Sequence, residues 1–282
     1  MGKNLKLGSV VISYDYSDEQ LFENVKRYID DVDLMIIWDN TPQERKKLRN
    51  EFWINQKTKT LIQTTGKNEG IGYALNRAVE CAKQYECTHL LTMDQDSIWR
   101  DFSGYRRTIE NDQDKDIAIY APTIADAESD FVFWCNKPDL YAITSGCIFD
   151  LEMMQKIGLF NEKFFIDEVD NEYCIRTVKK GYHVKIYEDC YLYQHFGSKE
   201  GQSFWARQTG NYSAFRTYHQ VRNRLWMWRM YPHQLNYRYH LRTLLLTILK
   251  RSIVIIAYEK DKKNKLKAIW RGIADGVTQK PI

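Results

Sequence analysis

Over the first 125 or so residues, short continuous apolar runs alternate with longer stretches in which apolar positions recur every three or four residues. The runs at 6–13, 33–38, 58–63, 89–93 and 117–122 are rich in Val, Ile and Leu, the pattern of parallel strands buried on both faces. Between them, 19–28 behind the N-cap candidate Ser17 and 71–84 with Ala74, Leu75, Ala78, Val79 and Ala82 on one face predict helices. Such alternation predicts an α/β fold whose ligands lie beyond the carboxyl ends of the strands. From about Tyr212 the pattern becomes aromatic and arginine-rich (Phe215, Arg222, Arg224, Trp226, Trp228, Arg229), predicting helix as far as Pro232. A second helical stretch, 235–258, carries two apolar blocks split by Lys250 and Arg251. A bilayer span needs about 20 mainly apolar residues, so this stretch is expected to lie on a membrane surface rather than cross it. The pattern gives an α/β domain over 1–210 and a helical extension over 211–282.

Composition narrows the class. A chain of 282 residues that is 44% hydrophobic buries a full core, which excludes disorder. Its six cysteines are scattered with no CxxC pair, which argues against a zinc knuckle or a disulfide framework and for a reducing compartment. The amino terminus enters its first apolar run without a secretory pattern, so cytoplasmic residence is expected. The net charge of +4 conceals an asymmetry: residues 206–282 hold 16 Lys and Arg against three acids, and the rest holds 25 against 34. A basic tail suits nucleic acid, an anionic leaflet or a phosphorylated ligand, and composition does not choose among them. No nucleic-acid motif accompanies it.

Three constellations carry chemistry. The run 90–93 ends in Asp94-Gln95-Asp96, two hard oxygen ligands at a strand end that suit Mg²⁺ or Mn²⁺ bridging a diphosphate. Alone, this fits a solvated loop equally well. The segment 164–176 places Asp167, Glu168, Asp170 and Glu172 after an aromatic pair. With a helix starting at Asp170, Asp167 and Glu168 precede its positive end and Arg176 is in reach of Glu172. A carboxylate so placed stays ionised and can act as a base; an acidic helix start on a solvated face is the competing account. Gly66, Gly70 and Gly72 punctuate a loop that opens a helix and match neither a Walker loop nor GxGxxG. His195 ends another β-like run; the remaining histidines show no HExxH spacing, and no GxSxG occurs.

In chain order these pieces resemble glycosyltransferase family 2, a family with the GT-A fold. The likeness runs through Val10-Val11-Ile12-Ser13-Tyr14, Trp38-Asp39-Asn40-Thr41, the loop from Asn68 to Asn76, Asp94-Gln95-Asp96, Thr144-Ser145-Gly146-Cys147, the acidic cluster and His195. It covers about the first 200 residues and looks most like the rhamnosyltransferase branch, which uses dTDP-L-rhamnose to build bacterial surface polysaccharide. Trp38 stands where the family has a small aliphatic residue, and Arg222-Asn223 resembles a recurring Arg-Asn pair in its C-terminal helices.

The resemblance implies a Rossmann-like GT-A domain with a mainly parallel central sheet and a C-terminal helical extension. It implies that Ser13, Tyr14, Asp39, Asn68, Gly72, Asn76 and Asp94 bind the donor nucleotide, and that Asp96 and His195 hold Mn²⁺ or Mg²⁺. Ser145 and Gly146 would form the acceptor or donor-sugar loop. Asp170 would be the catalytic base, flanked by Asp167 and Glu172. The expected partners are a dTDP- or UDP-sugar, a polyprenyl-diphosphate-linked glycan and, through the basic extension, the inner face of the bacterial plasma membrane. No nucleic acid is expected, and a homodimer is compatible with the sequence. The same mechanism with a UDP-hexose or UDP-galactofuranose donor stays open. So do two other classes: a nucleic-acid-binding protein using the tail, and a non-catalytic sugar binder, against which the joint presence of Asp94, Asp96, Asp170 and His195 speaks.

Overall fold

A computed structural model describes residues 5–45, 48–126, 132–133, 141–194 and 211–281. The first part alternates as the pattern predicts: β1 (Leu7–Ser13), α1 (Asp18–Val25), β2 (Leu34–Asp39), α2 (Asn50–Ile54), β3 (Thr60–Gln63), α3 (Ile71–Gln84) and β4 (His89–Asp94). There follow β5 (Ile98–Trp99), α4 (Phe102–Asn111), β6 (Ile117–Asp126), β7 (Val132–Phe133), β8 (Ile148–Asp150), α5 (Leu151–Ile157), α6 (Val169–Lys179) and β9 (His183–Gln194). The Ser17 cap is present as a capping box: Ser17 and Gln20 each accept the other's backbone N–H, which fixes where α1 begins.

The strands form one sheet in the order β3-β2-β1-β4-β8-β6-β9-β5, with β7 on β6. β1, β2, β3 and β4 run parallel, as do β6 and β9, and these pairs hold most of the paired positions. β8 runs antiparallel between β4 and β6, an insertion that its three residues are too few to announce by periodicity. Leu7, Val11, Met35, Ile37, Leu91 and Met93 belong to one core cluster, joined by Trp99, Phe102 and Tyr105 around α4. The parallel order brings the carboxyl ends of β1 and β2 side by side, with Ser13 opposite Asp39 and Ile12 opposite Asp94.

The chain divides into two compact units, Met1–Phe160 with Tyr173–Phe196, and Asn161–Glu172 with Gly197–Ile282. The acidic segment therefore groups with the C-terminal helices. These are α7 (Ala214–Met230), α8 (Tyr237–Arg242), a π-helical turn over Thr243–Lys250, α9 (Arg251–Tyr258) and α10 (Lys262–Thr278). Val221, Leu225, Ile255 and Ile269 form the core of this unit. Gly272 and Gly276 let α10 approach α7 closely: a Cβ on Gly276 would lie 2.8 Å from Leu225 Cβ. Glu259, nearly inaccessible, is compensated by Arg251 and by Lys265 Nζ at 2.7 Å, as a buried charge requires. Among the described residues, no helix is long and apolar enough to cross a membrane.

Candidate active site

Two clusters of expected site residues are built, one in each unit. In the first unit, Ser13 and Asp39 close adjacent strands and are fully buried. Asp39 Oδ1 accepts the Thr41 N–H at 2.9 Å, whereas among the described residues Asp39 Oδ2 and Ser13 Oγ have no hydrogen-bond partner. Buried polar atoms are nearly always paired, so two orphans at neighbouring strand ends mark a candidate position for a ligand. Asn40 organises the loop behind them. Its Oδ1 accepts from Trp38 Nε1 at 3.0 Å and from the Glu69 N–H at 3.3 Å, and its amide donates to the Gly70 carbonyl. Asn68 Oδ1 accepts the Gly70 N–H at 3.0 Å, and Gly70, at φ +86°, adopts the left-handed backbone from which α3 starts. Gly72 is buried in the first turn of α3. Asn76 gives both amide atoms to the Phe160 main chain, at 2.9 Å each.

At the end of β4, Asp94 donates its N–H to Ser145 Oγ at 3.0 Å, and that hydroxyl lies 2.8 Å from Ser97 Oγ. Gln194 Nε2 donates to Ser97 Oγ at 3.0 Å and to Asp94 Oδ2 at 3.3 Å. Gln95 is drawn the other way: its Oε1 accepts the Tyr14 N–H at 2.6 Å and its carbonyl accepts from Asn24. Gly146, at φ +81°, donates to the Thr92 carbonyl, and a Cβ there would sit 2.8 Å from both Leu192 and Pro122. Ser145 and Gly146 thus brace the turn that carries the two aspartates. Burial, with the Asp96 carboxylate nearby, pushes the Tyr16 phenol up. Tyr14 is half-exposed, its hydroxyl accepting from Arg45 at 2.6 Å.

Among the described residues, no three His, Cys, Asp or Glu side chains gather as a metal cluster. His195 lies outside the described residues; its neighbour Gln194 is the residue bonded to Asp94.

In the second unit the acidic segment forms one wall of a cavity of about 430 Å³ lined by Asp167, Glu168, Asp170 and Asn171 and by side chains of the C-terminal helices. Phe165, Asp167 and Glu168 all have φ near +60°, a conformation non-glycine residues hold only when surroundings enforce it. The enforcement comes from α7. Asn223, wholly buried, places Nδ2 at 2.8, 2.7 and 2.9 Å from the carbonyls of Phe164, Ile166 and Asp167. Arg222 donates to the carbonyl of Lys163 at 2.7 Å. Asp167 is gripped by Arg216 through both carboxylate oxygens, and buried Glu168 by Arg224 at 3.2 Å and Asn171 at 2.9 Å. Glu172 is buried and accepts from Tyr231 at 2.6 Å.

Asp170 differs from its neighbours. Its Oδ1 accepts the Asn171 N–H at 2.8 Å, and among the described residues no cation pairs with it. Desolvation, reinforced by Glu168 and Asp167, pushes its carboxyl up to about 7. This corrects the expectation of a carboxylate held ionised by the helix start: α6 begins at Val169, and loss of water outweighs its positive end. Arg176, expected within reach of Glu172, donates to the carbonyls of Ile157 and Leu159 and lies over the Tyr173 ring. Asn223 and Arg224 were not singled out as site residues, although the Arg222-Asn223 pair was the visible signal.

The sheet order and helical extension are those of the GT-A fold, and similarity to a curated sugar transferase makes the chain a glycosyltransferase. Its sequence similarity is to a rhamnosyltransferase. It is 26% identical over 234 residues to the dTDP-rhamnosyl transferase RfbF of Shigella flexneri, a match spanning 75% of this chain and 76% of that protein. No protein-family model matches the chain. The mannosyltransferase PcManGT of Pyrobaculum calidifontis, solved in complex with GDP-Man and Mn²⁺, shares the fold at a TM-score of 0.62 and 10% identity, over 99% of this chain and 88% of its own. GalNAc-T7, solved with UDP, GalNAc and Mn²⁺, follows at 0.55 and 12%, over 91% of this chain and 58% of its own.

Proposed function

We propose that this protein is an inverting, metal-dependent transferase that moves L-rhamnose from dTDP-rhamnose onto a hydroxyl of a lipid-linked glycan, at the cytoplasmic face of a bacterial membrane. The donor assignment leans on the RfbF likeness, and the membrane assignment on the basic extension. Asp170 carries the reading: a carboxyl in a cavity, without a counter-cation and raised to about 7, is suited to take a proton from an alcohol near neutral pH. In the reaction the acceptor oxygen gives its proton to Asp170 and bonds to the anomeric carbon. The bond from that carbon to the diphosphate breaks with inversion, and the nucleoside diphosphate leaves.

Asp39 Oδ2 and Ser13 Oγ are the unsatisfied atoms offered to the nucleotide. The hard oxygens of Asp94 and Asp96 fit a divalent cation, and Mn²⁺ in two fold neighbours supports one here. Asp96 and His195 would hold Mn²⁺ or Mg²⁺, which supplies charge neutralisation for the leaving diphosphate.

The test is Asp170→Asn assayed with a panel of sugar nucleotides and Mn²⁺. Transfer is expected to fall by about 10²–10⁴-fold, the range for a lost general base, while dTDP-rhamnose still raises the melting temperature. Ordinary turnover by that variant overturns the base assignment, and a response to UDP-sugars alone overturns the donor.

A further inference from the structure

The cavity beside Asp170 has a charge balance of its own. Arg216 compensates Asp167, Arg224 compensates Glu168, and Arg251, which also lines the cavity, is tied to Glu259. Among the described charged residues of this wall, Asp170 and Arg242 are left without an ionic partner. Arg242 ends α8, exposed, at the start of the π-helical turn. The same helical run sets an apolar stripe in solvent: Leu241, Leu245, Leu249 and Ile253 are all exposed and stand four residues apart, the spacing of one helix face. A free guanidinium at a cavity rim, adjoining such a stripe, matches a ligand that is anionic at one point and greasy beyond it.

We propose that this cavity is the acceptor site and that Arg242 determines its specificity by holding a phosphate group of a lipid-linked acceptor, whose chain follows the Leu241–Ile253 stripe while its sugar hydroxyl meets Asp170. The proposal rests on the transferase function above. A volume of about 430 Å³ suits a sugar with its phosphate rather than a long glycan. The guanidinium offers a planar fork of donors that phosphate oxygens accept in pairs, so Arg and Lys are not equivalent there.

The experiment is a calorimetric titration of the full chain with excess dTDP and Mn²⁺ present to occupy the donor site. Farnesyl diphosphate, farnesol and inorganic pyrophosphate are the probes, against the parent, Arg242→Ala and Arg242→Lys. The side chain is exposed, so the variants keep the fold. Farnesyl diphosphate is expected to bind the parent, to lose about tenfold or more with Arg242→Ala, and to recover in part with Arg242→Lys, while farnesol is indifferent to both changes. In transfer assays Arg242→Ala raises the KM for a phosphate-bearing acceptor and leaves the donor KM unchanged. Equal affinity of Arg242→Ala and the parent for farnesyl diphosphate overturns the proposal. Pyrophosphate binding as tightly as farnesyl diphosphate overturns its lipid part and assigns a free anion. Dependence on Arg242 in a protein that transfers no sugar would instead remove the transferase function and leave an anionic-lipid site, so the two failures are distinguishable.

Discussion

The two clusters of candidate site residues are built by opposite means. In the first unit Asp39 and Asp94 sit at the ends of parallel strands, where register alone delivers them, and short hydroxyl and amide side chains finish the turns. In the second unit the acids occupy a loop whose backbone takes positive φ at Phe165, Asp167 and Glu168, each at a cost on the order of 1–3 kcal/mol. That loop persists because Asn223 and Arg222, 56 to 59 residues on, hold its carbonyls. Regular secondary structure places a group cheaply but only at strand or helix ends. A strained loop places one in a desolvated cavity, provided a buried amide enforces it, and desolvation is what lifts Asp170 to about 7.

This contrast can be broken most forcefully at Asn223. Asn223→Ala removes the side-chain donor of the Ile166 and Asp167 carbonyls and one of the donors to that of Phe164, so the variant is expected to lose about 2–3 kcal/mol in urea unfolding and about 100-fold in transfer, with the dTDP-induced thermal shift retained. A collapse of donor binding as well would show that the two halves are not separately built.

A pH series sharpens the electrostatic side of the comparison. With the Asp170 carboxyl at about 7, kcat/KM is expected to fall about tenfold per pH unit below that value, as the base becomes protonated. Stability has the opposite sign. Because the folded pKa is raised, the folded state binds the proton more tightly than the unfolded chain, so this group's stabilising contribution is complete below about 4 and is lost as pH rises through about 7. Urea unfolding of the parent across that window, compared with Asp170→Asn, isolates the contribution. An acid limb in the rate profile near 4 would mean that Asp170 is well solvated.

In the strand-end half, Asp39→Asn keeps an oxygen for the Thr41 N–H but removes the charge at a buried atom without a partner. Donor affinity is expected to drop about tenfold, the loss of one charge-assisted hydrogen bond, with the ligand-free melting temperature unchanged or raised. Titration with dTDP-rhamnose against a thermal melt reads both. The smallest expected effect is at Lys156, whose contact with Glu152 is solvent-exposed: Lys156→Ala is expected to change neither melting temperature nor transfer measurably, because such surface pairs are screened.

Much of the first unit was legible in the sequence. The apolar runs predicted β1, β2, β3, β4 and β6 within a few residues, the 71–84 periodicity matched α3, and Ser17 supplied the expected cap. Asp94 and Asp96 stand out as candidates because they follow such a run. β8 was hidden because three residues have no measurable period, and the bracing roles of Ser97 and Gln194 were hidden because their partners lie 48 and 97 residues away. Asp170 was legible as a candidate from the resemblance, but its environment was not, since desolvation depends on which helices cover it. Arg242 gave no local signal at all: among 16 basic residues of the tail, only the pairing of its neighbours singles it out.

By itself the sequence determined what is set by near neighbours along the chain: which segments are strands and helices, where each begins, and which carboxylates follow a strand end. Hydrophobic period, capping and turn chemistry act over a few residues, so they can be read in order. The tertiary structure decided which of those carboxylates keep a counter-charge and which lose their water. Both are properties of the space around an atom, filled by residues that the chain brings back from far along its length.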